Sequence, residues 1–139
     1  MKLKTIEKQP GIIYQQVEIL SAGLKKSKLD LGKLSCLEEP NRNLADFLGC
    51  TETQAVLYTV FLALNFHYSF VTIENMAAYL GCEPLTIVKY IPEMDKLIKK
   101  RLIRADSRGN PRKSVLYDII YYITRDVLDA MFLGNISLI

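Results

Sequence analysis

Two short helical patterns that meet at a tight corner constrain the fold of this chain more than any other feature. The first pattern has one apolar stripe, formed by Ile73, Met76, Ala77 and Leu80. Gly81 ends this helix, because glycine takes the left-handed conformation at a helix C-terminus at little cost. Pro84 suits the first turn of a second helix, where its missing amide proton would be unpaired anyway. Predicted strands follow directly, so this order predicts a winged helix-turn-helix.

The second helix is predicted to run from Pro84 through Lys100 as one amphipathic element. Its inner stripe comprises Ile87, Ile91, Met94 and Ile98, with Tyr90 and Leu97 beside it. Its opposite face comprises Thr86, Lys89, Glu93, Lys96 and Lys100. Pro92 removes the amide proton that would bond to the Val88 carbonyl, so we expect a kink in this helix.

The positive charge of the chain is concentrated in this second helix and in the hairpin predicted after it. From Pro84 to Lys113, nine Lys and Arg stand against three Asp and Glu, a net charge of +6, whereas the rest carries −3. The hairpin is predicted to pair Leu102–Asp106 with Ser114–Ile119, and Tyr121–Ile123 extends the second strand or covers its edge. The turn residues between the strands are Gly109, Asn110 and Pro111.

Further helices are predicted on both sides of this region. An N-terminal helix has the apolar stripe Ile13, Val17, Leu20 and Leu24. A loop from Gly32 to Asn41 leads to a short helix, Leu44–Leu48, which stops at Gly49. Thr51 and Gln54 then form a capping box that opens a long, buried helix ending between Asn65 and Tyr68. A last helix after Thr124 turns Val127, Leu128, Met131 and Phe132 inward.

Together these patterns predict a mainly α fold with a small β-hairpin, a winged helix-turn-helix with an N-terminal helical extension. Residues 1–42 are expected to form an arm of helix and loop, 43–135 the winged-helix domain, and 136–139 a C-terminal tail. The longest apolar stretch, Ala55–Leu64, is too short to span a bilayer. Ile12–Leu20 contains polar side chains where a signal peptide would be apolar, so we expect a cytoplasmic protein without a membrane partner.

The basic segment contains two groups of candidate DNA contacts. Arg104, Arg108, Arg112 and Lys113 suit phosphate contacts from a wing, and Lys89, Lys96 and Lys100 share one face of the helix. Near the start of the helix, Thr86 and Lys89, together with Tyr90, are the side chains that could reach base edges. Because the start of the helix has no Arg, Asn or Gln, it has no side chain for a bidentate contact with a base. We therefore expect DNA binding through phosphates, with little sequence specificity.

Two alternatives to DNA binding stay open at this point. A lysine-rich helix face is often only a solvated surface, and winged helices also serve as protein-protein modules. The tyrosine-rich stretch Tyr117–Ile123 favours an interface, either with a protein partner or in a homodimer, because aromatic side chains are enriched in interfaces.

The sequence contains no recognisable catalytic or ligand-binding motif. Because GxxxxGK[ST] and GxGxxG are both absent, we expect this chain to bind no ATP. His67 is its single histidine, and Cys36, Cys50 and Cys82 lack the close spacing of zinc ligands. The helix after Cys82 could lower the pKa of that thiol, although such a corner more often holds a small buried residue. We expect no enzymatic activity, no metal, no cofactor and no small-molecule substrate.

From Gly23 onward the chain resembles the winged-helix region at the N-terminus of AAA-type ATPases of Bacteroidetes-like bacteria. The matching strings are GLKKSKLDL (Gly23–Leu31), NLADFLGCTETQAVLYTVFLALNF (Asn43–Phe66), MAAYLGCEPLTIVKYIPEMDKLIKKRLI (Met76–Ile103) and YYITRDVLDAMFLGN (Tyr121–Asn135). The resemblance implies a three-helix core with a wing, N-terminal helical additions and a non-enzymatic accessory or targeting role. In family members an ATPase domain would follow, whereas this chain contains no Walker motif.

The chain departs from the usual winged-helix pattern just before the first wing strand. A glycine usually stands there, but the string LIKKRLI has Arg101 at that position. A non-glycine residue in the left-handed conformation is strained by roughly 1 kcal/mol. We therefore expect the second helix to end differently.

Overall fold

A computed structural model of the protein describes residues 10–28, 37–107 and 119–132. The helices in these ranges are α1 (Pro10–Leu24), α2 (Glu38–Leu48), α3 (Glu52–Asn65), α4 (Ile73–Leu80), α5 (Pro84–Val88), α6 (Ile91–Lys99) and α7 (Arg125–Phe132). The strands are β1 (Arg104–Ser107) and β2 (Ile119–Tyr122), which pair antiparallel. The fold is therefore mainly helical with a small two-stranded sheet, as the sequence predicts.

Helix α3 is the centre of the hydrophobic core, as its nearly continuous apolar sequence predicts. Tyr58 and Phe61 are completely buried, and the Tyr58 hydroxyl donates to the Met131 sulfur of α7 at 3.1 Å. The predicted capping box is confirmed. The Gln54 amide donates to Thr51 Oγ1 at 3.2 Å, and the Thr51 amide donates to Gln54 Oε1 at 3.3 Å.

Helix α2 begins earlier than its apolar spacing predicts. The predicted loop from Gly32 to Asn41 is wrong at its end, because Glu38–Asn41 already belong to the helix. Glu38 and Glu39 favour this start electrostatically, since carboxylates stabilise the positive end of a helix dipole. Asn41 is buried and donates to the Glu52 carbonyl at 2.9 Å, which joins the starts of α2 and α3. The predicted end at Gly49 is confirmed, with φ at 71°.

The segment after α1 closes the C-terminal end of α4. The Lys26 amide donates to the Tyr79 carbonyl at 2.8 Å, and the Lys28 amide donates to the Leu80 carbonyl at 2.7 Å. Gly81 ends α4 in the left-handed conformation at φ 75°, as predicted. A Cβ atom at Gly81 would lie 3.2 Å from the Lys26 Cα, so the close approach also requires glycine. The N-terminal helix therefore packs on the same core as the helices after it.

The second half of the predicted helix-turn-helix is two helices rather than one. The prediction of a single helix from Pro84 through Lys100 is wrong, because Lys89 and Tyr90 form a turn between α5 and α6. Pro92 is the physical reason, since it has no amide proton and lies in the first turn of α6. The expected disruption at Pro92 is thus confirmed, and it is larger than a kink.

Strand β2 pairs with backbone on both of its edges. Its register with β1 places Arg104 opposite Tyr122 and Ser107 opposite Ile119. On its other edge Val71, just before α4, forms an antiparallel bridge with Tyr121, with N···O distances of 2.8 and 2.7 Å. The predicted strand Ser114–Ile119 reaches the described residues only at Ile119, and the observed strand continues through Tyr122.

The inward face of α7 is mostly as the sequence predicts. Val127 and Met131 of α7 are buried and Leu128 is half-buried, as predicted for its inward face. The side chain of Phe132 lies outside the described residues.

Within the described ranges, no helix is by itself long and apolar enough to cross a membrane. Helices α2 and α3 reach the necessary length and apolar character only together, across a bend of 90°.

Candidate nucleic-acid interface

A group of exposed basic side chains surrounds the junction between α6 and β1. The group, called the basic junction below, consists of Lys96, Lys99, Lys100, Arg101 and Arg104. Buried Leu97, Leu102 and Ile103 hold this stretch of chain against the core. Apolar and basic residues are interspersed along this stretch. The apolar side chains pack into the core, and the basic side chains therefore remain in solvent.

The C-terminus of α6 determines where these charges lie. The Leu102 amide donates to the Leu97 carbonyl at 3.0 Å, and the Arg101 amide donates to the Ile98 carbonyl at 2.9 Å. This pair of bonds is the Schellman motif, which requires a left-handed residue, and Arg101 supplies it with φ at 63°. The expectation that the helix ends differently without glycine is wrong, because burial of Leu102 beside Leu97 holds the motif together.

Two lysines of the basic junction have polar partners within the protein: Lys100 contacts the corner between α2 and α3, and Lys96 pairs with Glu93 in its own helix. Lys96 Nζ lies 3.3 Å from Glu93 Oε1, and the other oxygen of Glu93 accepts from Gln54 at 3.3 Å. Lys100 Nζ donates to the Gly49 carbonyl. Part of the predicted polar face of the helix therefore contacts the protein itself, and Lys96 has an acidic neighbour.

The other members of the basic junction have no ion-pair partner within the part of the chain that the structure describes. Among the residues that the structure describes, no carboxylate lies within ion-pair distance of Lys99, Arg101 or Arg104. Lys99 and Arg101 were not among the predicted contacts, although both contribute to the +6 charge of the segment. The spacing that defined the predicted polar face selected Lys96 and Lys100 and passed over Lys99, which lies between them. Charge counting alone would have found both residues.

The remaining predicted contacts are divided between separate elements. Thr86 is half-buried on α5, and Lys89 is exposed, with its Nζ 5.3 Å from the centre of the Tyr90 ring. Since α5 has five residues and is separate from α6, these two side chains do not continue the row of Lys96 and Lys100. The wing contacts Arg108, Arg112 and Lys113 lie outside the described residues.

The aromatic surface lies in a different place from the one predicted. Tyr121 is only 3% exposed and packs on Phe61 with ring centroids 5.3 Å apart, so it belongs to the core rather than to an interface. Among the described residues, the exposed rings are Phe66, Tyr68 and Phe70, at the end of α3 and in the loop after it. These aromatic residues alternate along the sequence, at positions 66, 68 and 70. The same alternation is typical of a half-buried β-strand, so it did not indicate an exposed aromatic loop.

Asn65 holds this aromatic loop in place. Its Nδ2 donates to the carbonyls of Tyr68 at 2.8 Å and Ser69 at 3.2 Å. Its Oδ1 accepts from the Ile123 amide at 2.7 Å, which ties the loop to the end of β2. Phe70 then meets Tyr122 edge to face, with ring centroids 5.9 Å apart and planes at 79°. The aromatic loop is thus continuous with the sheet.

The two cysteines that the structure describes, Cys50 and Cys82, do not have the character of nucleophiles. Burial raises the pKa of the Cys82 thiol, and the Glu83 charge adds to the shift, so the predicted possibility of a lowered pKa at this corner is wrong. Burial also raises the pKa of Cys50 to about 11, against the opposing charge of Lys100. In the described part of the chain, no three His, Cys, Asp or Glu side chains are grouped as metal ligands.

Comparisons of the chain with known protein families, with curated protein sequences and with solved structures find no match.

Proposed function

We propose that this chain is a non-enzymatic winged-helix domain that binds nucleic acid, DNA in the first instance, mainly through the phosphate backbone. The basic junction is the observation that carries this proposal. Its five cations are all exposed and lie within nine residues of chain, from the last turn of α6 to the start of β1, and three of them have no acidic partner among the described residues. Such a surface releases counterions when it meets a polyanion, which favours binding without sequence readout.

The order and pairing of the elements support the winged-helix assignment. Helices α3, α4 and α5–α6 follow one another as a three-helix unit, and the β1–β2 pair follows them. The bridge from Val71 to Tyr121 adds a short strand position between the first and second of these helices, on the edge of β2 that does not pair with β1. In this arrangement the hairpin is the wing and the basic junction lies at its base.

The break between α5 and α6 favours backbone binding over base readout. A major-groove reader presents several side chains from one continuous helix, whereas α5 and α6 have five and nine residues. Lys89 is the exposed cation nearest to the start of this region, and Thr86 beside it is half-buried. We therefore propose little discrimination between DNA sequences.

Fluorescence anisotropy with a labelled duplex over a range of salt concentrations tests the proposal. For five phosphate contacts, log K should fall against log salt with a slope of about −4 to −5. Neutralising two cations of the basic junction, Lys99→Gln with Arg104→Gln, should reduce the magnitude of that slope by about 2.

A matched variant separates local contacts from net charge. Lys25→Gln with Arg42→Gln removes the same charge from exposed sites on other elements and should leave the slope unchanged. Absence of binding at low salt, or equal effects of the two double variants, would refute a phosphate-binding role for the basic junction.

The second candidate is a protein-interaction or targeting module of an AAA ATPase. The family resemblance motivates it, together with exposed Tyr68 and Phe70, since aromatic side chains are enriched in interfaces. Self-association is the simplest form of this function. Analytical ultracentrifugation that shows a concentration-independent monomer would remove the homodimer from this second candidate.

A further inference from the structure

We propose that the aromatic loop and Tyr122 form a stacking platform for unpaired bases, so that the chain prefers single strands or duplex ends with a single-stranded overhang. This inference rests on the proposed nucleic-acid binding and specifies which form of nucleic acid the surface takes. Stacking on aromatic side chains is the way in which proteins bind single strands without reading their sequence.

The backbone pairing aligns the parts of the platform across the sheet. Val71 bridges to Tyr121, which brings Phe70 beside Tyr122 on the edge of β2 that does not pair with β1. On the other edge of β2, Arg104 stands directly opposite Tyr122 in the register. The resulting row is Phe70, Tyr122 and Arg104, an aromatic pair followed by a cation. Opposite residues in antiparallel strands have their side chains on the same face, within contact distance.

The rings are accessible as well as held in position. Phe70 is 47% exposed and Tyr68 is 50% exposed, and both belong to the loop that Asn65 ties down. Tyr122 is half-buried, and its hydroxyl donates to Asp106 at 3.2 Å. A platform that is ordered before binding loses little conformational entropy when a base stacks on it.

The neighbouring charge favours nucleic acid over a protein partner. Arg104 belongs to both the row and the basic junction, so the platform begins where the phosphate-binding surface ends. A groove of about 450 Å³ runs along β1 between these parts, and Arg101, Arg104 and Tyr122 are among the residues that line it. Among the described residues that line this groove, Asp106 is the acidic one, and its carboxylate accepts a hydrogen bond from Tyr122. A strand could therefore place phosphates at the arginines and bases on the rings.

The experiment compares three labelled probes at about 50 mM salt by anisotropy. They are oligothymidine of about 16 nucleotides, an abasic strand of the same length and a blunt duplex. The abasic strand has the same phosphates but no rings, so it isolates the contribution of stacking. The full chain should bind oligothymidine more tightly than the abasic strand. Phe70→Ala should lower the affinity for oligothymidine about 5- to 100-fold and leave the duplex affinity within about twofold.

Two further variants control for folding and for surface hydrophobicity. Phe70→Trp keeps an aromatic face and should retain binding to oligothymidine. Ile19→Ala removes a side chain of similar exposure, 48%, from α1 and should change none of the three affinities. If Phe70→Ala proves unfolded by circular dichroism, the comparison of oligothymidine with the abasic strand in the unchanged protein still decides the question.

The possible outcomes separate this inference from the proposed function. Equal binding of oligothymidine and the abasic strand overturns the stacking platform, while salt-dependent duplex binding still supports the basic junction. Equal binding together with self-association that Phe70→Ala abolishes also overturns it and assigns the loop to a protein interface. Absence of binding to all three probes overturns the proposed function together with this inference.

Discussion

The side-chain oxygen of Asn65 accepts a hydrogen bond from the backbone amide of Ile123 at 2.7 Å, across 58 residues of sequence. Asn65 is the last residue of α3, and Ile123 directly follows β2. The amide nitrogen of the same side chain donates to the carbonyls of Tyr68 and Ser69. One side chain therefore joins the central helix, the sheet and the exposed aromatic loop.

Replacing Asn65 should destabilise the protein through the partners that it leaves behind. Asn65→Ala leaves the part-buried Ile123 amide without an acceptor, which should lower the free energy of unfolding by about 1–3 kcal/mol in urea denaturation. Asn65→Asp keeps the acceptor for Ile123 but removes the donor to Tyr68 and Ser69, so its loss should be smaller. If Asn65→Ala and Asn65→Asp lower the free energy of unfolding equally, the hydrogen bond to the Ile123 amide does not contribute to stability.

Arg101→Gly should stabilise the protein. Arg101 holds a left-handed conformation at φ 63°, and that conformation costs a non-glycine residue roughly 1–2 kcal/mol. Glycine relieves the strain but loses more backbone entropy on folding, so we expect a net gain of about 0.5–1 kcal/mol in the free energy of unfolding. Arg101→Lys keeps the strain and the charge and should change little. A loss of stability in the glycine variant would contradict the strain at this helix end.

Gly81→Ala should destabilise the corner after α4. The left-handed φ of 75° strains any other residue by roughly 1–2 kcal/mol, and the added Cβ would lie 3.2 Å from the Lys26 Cα. We expect a total loss of about 2–3 kcal/mol in the free energy of unfolding. Gly49→Ala is the matched control, because Gly49 caps α2 with a similar φ of 71° in a different place. If the two variants lose equal stability, the contact with Lys26 contributes nothing.

Alkylation of Cys50 should be slow near neutral pH and should accelerate as the pH rises. The thiolate is the reactive form, and burial raises the pKa of this thiol from 9.0 to about 11. Iodoacetamide labelling of a Cys36→Ser, Cys82→Ser variant, followed by mass spectrometry, should be slower at pH 8 in the folded protein than in urea. Lys100→Met removes the opposing charge and should slow labelling further. Equal rates in the folded and unfolded chains would contradict the shift.

The same shift makes stability depend on alkaline pH. The folded protein keeps a proton on Cys50 that the unfolded chain releases near its ordinary pKa of 9.0. This contribution to stability is therefore complete below pH 9 and is lost as the pH rises toward 11. Urea denaturation between these limits should show a smaller decline for Cys50→Ala than for the unchanged chain.

Features that depend on a few neighbouring residues could be predicted from the sequence. The capping box of Thr51 with Gln54 and the glycine stops at Gly49 and Gly81 are local arrangements, in which all the bonding groups lie within one helical turn. The effect of Pro92 is local for the same reason, since a missing amide proton acts only on the preceding turn.

Features that depend on distant partners could not be predicted in this way. The sequence gives no sign that Tyr121 is buried while Phe70 is exposed. Tyr121 pairs with Val71 and packs on Phe61, and both partners are distant in the sequence. Likewise, the spacing of lysines does not show that Lys100 bonds to the Gly49 carbonyl, 51 residues earlier.

The sequence by itself determined the helix boundaries set by local caps, the mainly helical class and the concentration of positive charge between Pro84 and Lys113. Only the tertiary structure decided how that charge is presented. Burial of Leu97 and Leu102 keeps Arg101 in a conformation that its own preference opposes, and so places Lys99, Arg101 and Arg104 around one junction. The physical reason is that burial of apolar side chains contributes more free energy than the strain of one backbone angle costs.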